Sequence, residues 1–158
     1  MTLCRMLAMT AAACGFLLGG AAVAAGITVH DARNRDVTIN DPARIVSIGG
    51  AITEILYALG FEDRLAGVDA TSLYPAAARA KPNVGYMRQL SAEGVLGLNP
   101  SLVLAVQGSG PKEAMDLLEA AKVPLVLVPE IFSEQGLLDK IRMVGQAMGA
   151  DKRAECLT

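Results

Sequence analysis

The sequence predicts an α/β domain in which a parallel sheet carries flanking helices and follows a β-hairpin. Two observations lead to this fold class. Four short apolar runs, each bounded by turn residues, have the length and composition of strands buried on both faces. Segments with apolar residues at helical spacing alternate with these runs, which is typical of parallel strands joined by right-handed crossovers. A chain of 158 residues has room for about one such domain.

Residues 1–25 predict a secretory signal peptide rather than part of the domain. Arg5 is the only charged residue among them, an apolar stretch follows it, and small residues precede Gly26. A transmembrane anchor is the alternative, but the stretch is rich in Ala and Gly and its most apolar part is short. A lipoprotein attached through Cys14 is a second alternative, although the large aliphatic residue expected three positions earlier is absent. We therefore expect export and cleavage after Ala24 or Ala25.

The first element beyond the signal is a predicted hairpin over residues 27–39. Apolar residues alternate with polar ones on both sides of a polar turn at residues 32–35. A strand at residues 44–48 comes next, and Gly49 and Gly50 turn the chain into a helix that ends at Gly60. The remaining predicted elements are strand 65–68, helix 91–97 capped by Ser91, strand 102–106, helix 111–121, strand 124–129 and a helix from Ser133 through Met148.

Charge and cysteine content exclude several functions. The formal charge of −2 and the 4% aromatic content argue against a nucleic-acid partner and against direct attraction to an anionic membrane. Cys156 is the only cysteine beyond the predicted signal, so we expect no internal disulfide and assign this thiol no chemistry. His30 is the only histidine, and we interpret it as a solvated strand residue rather than a metal ligand.

The sequence has no arrangement of residues that supports catalysis. It lacks a P-loop, a complete Gly-x-Gly-x-x-Gly dinucleotide motif and a Gly-x-Ser-x-Gly nucleophile frame. Neither a metal-ligand set nor a nucleophile with a base can be recognised. We therefore predict that the protein is not an enzyme, with a periplasmic α/β enzyme as the disfavoured alternative.

Loops that follow strands are the expected ligand-binding positions of an open α/β sheet. Three such segments are residues 49–54, 69–75 and 85–90. Tyr74 lies in the second and precedes Pro75, which favours an extended backbone at the tyrosine. An exposed tyrosine of this kind is either a hydrogen-bonding anchor or, as a phenolate, an oxygen ligand for Fe(III). A nearby cation would lower the phenol pKa from its ordinary value of about 10.

Three stretches of the sequence resemble a known family. The segment Arg44-Ile-Val-Ser-Ile-Gly-Gly-Ala-Ile-Thr-Glu-Ile-Leu-Tyr-Ala-Leu-Gly60 resembles the opening of periplasmic binding proteins for iron chelates and vitamin B12. Two others resemble the haem-binding branch that feeds hemin ABC importers: Asp69-Ala-Thr-Ser-Leu-Tyr-Pro75 and Val84-Gly-Tyr-Met-Arg-Gln-Leu-Ser-Ala-Glu-Gly-Val-Leu-Gly-Leu-Asn-Pro-Ser-Leu-Val-Leu-Ala105.

The resemblance implies a domain organisation. Members of the family have two α/β lobes joined by a long helix and hold the ligand in the cleft between them. Residues 26–132 would be the N-terminal lobe, and residues 133–158 would begin the inter-lobe linking helix. The C-terminal lobe is absent from this sequence, so we expect the chain to be a fragment or a truncated product.

The resemblance also implies a set of site residues. Tyr74 corresponds to the axial tyrosine that binds the haem iron, and Arg88 would pair with a propionate or stabilise the tyrosinate. The remaining expected cleft residues are Met87, Tyr86, Gly49, Gly50 and Ala51, of which the three in the 49–51 turn would let a flat ligand approach the backbone. Glu93 corresponds to a surface glutamate that docks onto the membrane permease, although it also suits the first turn of a helix.

These expectations combine into one function. The protein is expected to capture haem b, as hemin, in the periplasm and deliver it to an ABC importer permease with its ATPase. It would contact the membrane only through that permease. A siderophore or cobalamin carrier on the same fold and a truncated, non-functional lobe remain alternatives.

Overall fold

The computed structural model describes residues 26–158, which form an α/β domain with a preceding hairpin. The predicted signal peptide lies outside the described residues. The strands are β1 (Ile27–His30), β2 (Asp36–Ile39), β3 (Ile45–Ile48), β4 (Leu65–Val68), β5 (Leu102–Val106) and β6 (Leu125–Val128). The helices are α1 (Gly50–Ala58), α2 (Ala92–Leu96), α3 (Lys112–Ala120), α4 (Glu134–Ala147) and α5 (Asp151–Glu155), with short 3-10 turns at Glu62–Arg64 and Ala76–Ala80.

Strands β3 to β6 form one parallel sheet in the order β4-β3-β5-β6. From β3 the chain first adds β4 on one side, then crosses back to add β5 on the other. The direction of winding therefore reverses between β3 and β5, and the carboxyl ends of these two strands lie side by side. Such a reversal is where open parallel sheets leave a crevice for ligands.

Helices cover both faces of this sheet, which is why the strands are apolar except at Ser47. Alternate strand residues, such as Leu104 and Val126, pack with α1 and α4, and the residues between them, such as Val103 and Leu127, pack with α2 and α3. Burial on both sides removes the polar alternation of a half-exposed strand. The predicted fold class is confirmed.

The hairpin β1–β2 is antiparallel, with Val29 opposite Val37. Its buried residues Val29 and Ile39 join the core beside α4. The Ala32 amide donates a 2.8 Å hydrogen bond to the Leu127 carbonyl oxygen, which ties the hairpin turn to the outer strand β6. An otherwise open sheet edge is thereby partly covered.

Serine caps fix the starts of two helices where the sequence predicts them. The Ser91 Oγ accepts from the Gly94 amide at the start of α2, and the Ser133 Oγ accepts from the Gly136 amide at the start of α4. Each serine satisfies a backbone donor that has no partner within its helix. The predicted helix beginnings at these residues are confirmed.

The segment 133–158 contains two helices, and the first of them agrees with the helix predicted from Ser133 through Met148. Helix α4 ends at Met148, and Gly149 takes a φ of +63° before α5 begins at Asp151. Helix α4 packs against α1, β1 and β6, so it belongs to the body of this lobe. A positive φ at glycine is the usual end of an α-helix, and here it separates two helices.

Between residues 26 and 158, none of the helices is both long and apolar enough to cross a membrane.

Candidate functional site

A depression of about 260 Å³ lies at the carboxyl ends of β3 and β5, where the winding of the sheet reverses. Four successive loops line it, those that follow β3, β4, β5 and β6. The lining residues are Gly49, Gly50, Ala51, Ile52, Met87, Arg88, Val106, Gln107, Glu130 and Phe132. We call this depression the switch-point cleft. Its position follows from the strand order. The chain winds outward from β3 to β4 in one direction and from β5 to β6 in the other, so the reversal falls between the neighbouring strands β3 and β5.

The switch-point cleft is mostly apolar, with one group of each charge at its rim. Arg88 is exposed, and the Glu130 carboxylate accepts a 2.8 Å hydrogen bond from the Lys140 ammonium. Lys140 is almost fully buried, so this ion pair anchors the loop after β6 to helix α4. Phe132 lies on the same loop and is 92% exposed. An apolar surface with a few polar groups is the usual composition of a small-molecule site.

The loop after β4 is held by a buried carboxylate. Asp69 is 1% exposed, and its Oδ1 accepts from the Gly49 amide at 3.0 Å and from the Ser72 hydroxyl at 2.9 Å. Its Oδ2 accepts from the Thr71 amide at 3.1 Å and from the Thr71 hydroxyl at 2.8 Å. Four donors therefore converge on one buried carboxylate, and hydrogen bonds to a carboxylate are among the stronger ones in proteins.

Hydroxyl groups extend this arrangement to the first turn of α1. The Gly50 amide donates to the Thr71 Oγ1 at 2.9 Å. The Thr53 hydroxyl lies 2.8 Å from the Ser47 hydroxyl and 2.7 Å from the Ser72 hydroxyl. The loop after β4 and the start of α1 are thus joined by an unbroken set of hydrogen bonds, which we call the Asp69 network.

Tyr74 lies two residues beyond the Asp69 network and is 67% exposed. It lines a shallow depression beside α1 with Glu54, Ala58 and three further residues, rather than the switch-point cleft itself. Ala51 lines the cleft, and Glu54, three positions on, faces the same side of the helix. Both depressions therefore border α1 but share no lining residue. Among residues 26–158, no hydrogen bond links Tyr74 to Arg88.

The structure brings together five of the seven predicted cleft residues. These are Gly49, Gly50, Ala51, Met87 and Arg88, whereas Tyr74 and Tyr86 are exposed outside the switch-point cleft. Glu93 is exposed in the first turn of α2, as its predicted docking role requires. The ligand-binding and docking roles of these residues stay predictions.

Packing within the protein explains the glycines at positions 49 and 50, which the sequence analysis had assigned only to ligand binding. Gly49 has a φ of +115°, and a Cβ there would lie 3.1 Å from the Val106 side chain. A Cβ on Gly50 would lie 2.5 Å from the Thr71 carbonyl oxygen. Close packing of the chain on itself thus requires both glycines, independently of any ligand.

Sequence reasoning missed Gln107, Glu130 and Phe132, which line the cleft after β5 and β6. Their signal was available, since each follows a predicted parallel strand within four residues. Ligand-binding loops of open sheets sit at strand carboxyl ends. What the sequence did not predict was which strands are neighbours.

Tyr57 provides a contrast to Tyr74 within the same lobe. Burial raises the pKa of the Tyr57 phenol, and the carboxylates of Glu62 and Asp63 raise it further. These effects disfavour the phenolate, so Tyr57 is unsuited to bind a ferric ion. Over residues 26–158, no cluster of three His, Cys, Asp or Glu side chains could hold a metal ion.

His30 is exposed on the hairpin, and its Nδ1 lies 2.9 Å from the Asp36 carboxylate. This hydrogen bond is the main cause of a raised His30 pKa. The histidine is therefore a solvated strand residue in the structure.

Most of the chain is similar to known periplasmic binding proteins. The family model described as periplasmic binding protein matches residues 45–158. An uncharacterised ABC transporter substrate-binding lipoprotein of Bacillus subtilis is 37% identical over 134 residues, which are 83% of this chain and 42% of that protein. A vitamin B12-binding protein of Yersinia pestis is 35% identical over 82 residues, which are 52% of this chain and 29% of that protein.

Among solved structures, the periplasmic haem-binding protein RhuT of Roseiflexus sp. RS-1 in its apo form superposes with a TM-score of 0.70 and 45% sequence identity. The match covers 72% of this chain and 44% of RhuT. The chain thus spans less than half the length of each of these relatives.

Proposed function

Since the chain belongs to the periplasmic binding protein family, we propose that it forms one wall of a cleft that captures hemin in the periplasm. The observation that supports this proposal best is the switch-point cleft, an apolar depression with a cation at its rim. A flat, apolar macrocycle with anionic propionates matches that surface in both polarity and charge. The similarity to a haem-binding structure at 45% identity favours the same ligand.

Tyr74 supplies the metal ligand in this proposal. Its phenolic oxygen is exposed, so it can reach a ferric ion without rearrangement of the core. The backbone that precedes Tyr74 is fixed, because Asp69 binds Thr71 and Ser72 and the Arg79 Nε donates to the Leu73 carbonyl oxygen at 3.1 Å. A hard phenolate oxygen suits Fe(III) better than a neutral nitrogen or sulfur ligand does.

In this proposal Arg88 binds the propionates of the ligand, and the apolar residues of the cleft contact its porphyrin ring. The Arg88 guanidinium would pair with a propionate, while the more accessible lining residues Ala51, Met87 and Phe132 would contact a porphyrin face. Glu130 carries the opposite charge across the cleft, so the propionates are expected to point toward Arg88 and away from Glu130. This arrangement would orient the macrocycle.

One lobe alone cannot enclose such a ligand. The cleft volume of about 260 Å³ is below the range of pockets that bury most of a drug-sized molecule, and Phe132 is almost wholly exposed. The relatives are more than twice as long as the matched region. We infer that a second lobe supplies the facing wall.

Delivery to a membrane permease completes the proposal. Glu93 is exposed at the start of α2 and is available to pair with a permease arginine. Residues 1–25 would direct export. The importer ATPase would supply the work, so no catalytic residue is required of this chain.

Cobalamin is the second candidate ligand, because a vitamin B12-binding protein is 35% identical over 82 residues. Titration distinguishes the two. Hemin added to the purified protein should saturate with a shifted Soret band and the charge-transfer absorption of a ferric tyrosinate, and cyanocobalamin in excess should not displace it. Saturable cobalamin binding together with unsaturable hemin absorption would overturn the hemin proposal in favour of the second candidate.

A further inference from the structure

We propose that Asp69 is a positioning residue for Tyr74, acting through the Asp69 network, and that it determines how firmly the tyrosine holds a ferric ligand. The inference rests on the proposed function. It adds a residue that touches no ligand, and its basis is the convergence of four donors on one buried carboxylate.

Asp69 joins the end of β4, the loop that follows it and the β3–α1 turn, and its contacts add to backbone hydrogen bonds such as that from the Ala70 amide to the Gly85 carbonyl oxygen at 2.8 Å. It follows β4 directly, accepts from the Gly49 amide that begins the β3–α1 turn, and accepts from both Thr71 and Ser72 in its own loop. The Gly50 amide donates to Thr71, which closes the connection from the loop back to α1. The segment 69–72 is consequently fixed on two sides.

This fixation extends to the residue before Tyr74. The Leu73 amide donates to the Thr71 carbonyl oxygen at 2.9 Å, and the Arg79 Nε holds the Leu73 carbonyl oxygen from the other side. Pro75 restricts the backbone that follows. Tyr74 therefore combines an exposed side chain with a backbone that hydrogen bonds hold in place before any ligand arrives.

Preorganisation of this kind lowers the cost of binding. A loop that is already ordered loses little conformational freedom when its tyrosine takes a ligand, and the geometry of the bond is set in advance. The network serves this purpose only while the carboxylate accepts on both oxygens. Each carboxylate oxygen accepts two hydrogen bonds. In Asp69→Asn an NH2 group replaces one of these oxygens, so in either orientation of the amide two donors lose their acceptor.

The chain contains a matched control in Asp31. It is likewise buried, at 3% exposure, and likewise collects hydrogen bonds from its own loop, namely from the Arg33 and Arg35 amides at 2.8 and 3.1 Å and from the Arg35 Nε at 3.0 Å. It lies in the hairpin turn and is absent from the lining of the switch-point cleft. Asp31→Asn thus damages a similar network away from the proposed site.

The test compares Asp69→Asn, Asp31→Asn and the unchanged protein by thermal melting, by the ferric-tyrosinate absorption and by the hemin dissociation rate measured with a haem-scavenging globin. We expect both variants to lower the melting temperature, but only Asp69→Asn to weaken the tyrosinate band and to raise the dissociation rate about tenfold or more. If Asp69→Asn fails to fold, Thr71→Val is the second variant. It preserves the side-chain shape but removes the hydroxyl that donates to Asp69 and accepts from the Gly50 amide. We expect it to raise the hemin dissociation rate about threefold.

The outcomes separate this inference from the proposed function. If the unchanged protein shows no tyrosinate band with hemin, the proposed function fails and the inference fails with it. If that band is present and the dissociation rates of the Asp69 and Asp31 variants agree, Asp69 has a structural role only and the inference alone is overturned.

Discussion

Gly50 and Thr71 approach each other so closely that a Cβ on the glycine would lie 2.5 Å from the Thr71 carbonyl oxygen. The Gly50 amide also donates to the Thr71 hydroxyl. These two contacts bring the start of α1 and the loop after β4 together. They give a structural reason for Gly50, which the sequence analysis had explained by the close approach of a ligand. The first turn of α1 is thus occupied by the protein's own backbone.

Substitution of this glycine tests the close approach. Gly50→Ala should lower the free energy of unfolding by about 1–3 kcal/mol, because the backbone of the loop must move to admit the methyl group. Gly94→Ala is the control, since a Cβ there meets the nearest Ser91 atom at an ordinary 3.7 Å and lies inside α2. Alanine at that helical position should be neutral or stabilising. Equal losses in chemical denaturation of the two variants would contradict the packing argument.

Tyr74→Phe tests the proposed iron ligand. Removal of the phenolic oxygen alone should abolish the ferric-tyrosinate absorption and lower hemin affinity at least about tenfold, a loss of about 1.4 kcal/mol. Tyr57→Phe makes the same chemical change on the same lobe, at a tyrosine whose pKa is raised by burial and by Glu62 and Asp63. That control should bind hemin normally. An unaltered spectrum in Tyr74→Phe would remove Tyr74 from the site.

Arg88→Gln tests the orientation of the propionates. We expect hemin affinity to fall about tenfold, near the lower limit for a charge-assisted contact because Arg88 is exposed. The affinity for hemin dimethyl ester, which has no propionate charge, should hardly change. Arg142→Gln on the outer surface of α4 serves as the charge-matched control. Equal losses for hemin and its ester in Arg88→Gln would show that the arginine does not bind propionate.

The fold was largely predictable from the sequence, because each local signal agreed with the next. Ser91 and Ser133 cap the helices where expected, and the four apolar runs form the sheet. The predicted end of the helix at Met148 agrees with the structure, whereas the short helix α5 after Gly149 was not predicted. The conformation at Gly149 depends on α5 packing back on α4, where Ala154 lies against Gly145.

The site was only half predictable, for a reason that concerns topology. Gly49 and Arg88 lie in loops that the sequence analysis singled out. Gln107 and Phe132 also follow predicted strands, but their place in the same cleft depends on β5 being next to β3. Strand order depends on how crossovers pack over the whole sheet, and a single sequence carries no local signal for it. The Asp69 network escaped notice similarly, since its donors come from two separate segments.

The hairpin turn should make folding stability dependent on acid pH through Asp31. Burial acts to raise the Asp31 pKa, but hydrogen bonds from the Arg35 side chain and from the Arg35 and Arg33 amides hold it below the ordinary value of 3.8. The ionised carboxylate therefore stabilises the fold above about pH 4, and this stabilisation is lost as the pH falls through the lowered pKa. The stability difference between the unchanged protein and Asp31→Asn should shrink from pH 5 to pH 2.5 in urea denaturation, whereas a constant difference would contradict the assignment.

The ion pair of Glu130 and Lys140 predicts an asymmetry between its two partners. The Lys140 side chain is 5% exposed and that of Glu130 is 30% exposed, so the ammonium depends on its partner more than the carboxylate does. Glu130→Gln leaves a buried ammonium with a neutral acceptor and should cost about 2 kcal/mol of unfolding free energy. Lys140→Met replaces the ammonium by an apolar group of similar length and leaves a carboxylate that water can reach, so it should cost about 1 kcal/mol or less. Chemical denaturation of both variants measures the two costs. A larger loss in Lys140→Met would contradict this account, because either substitution removes the same attraction between the charges and the two variants differ in which group is left without its partner.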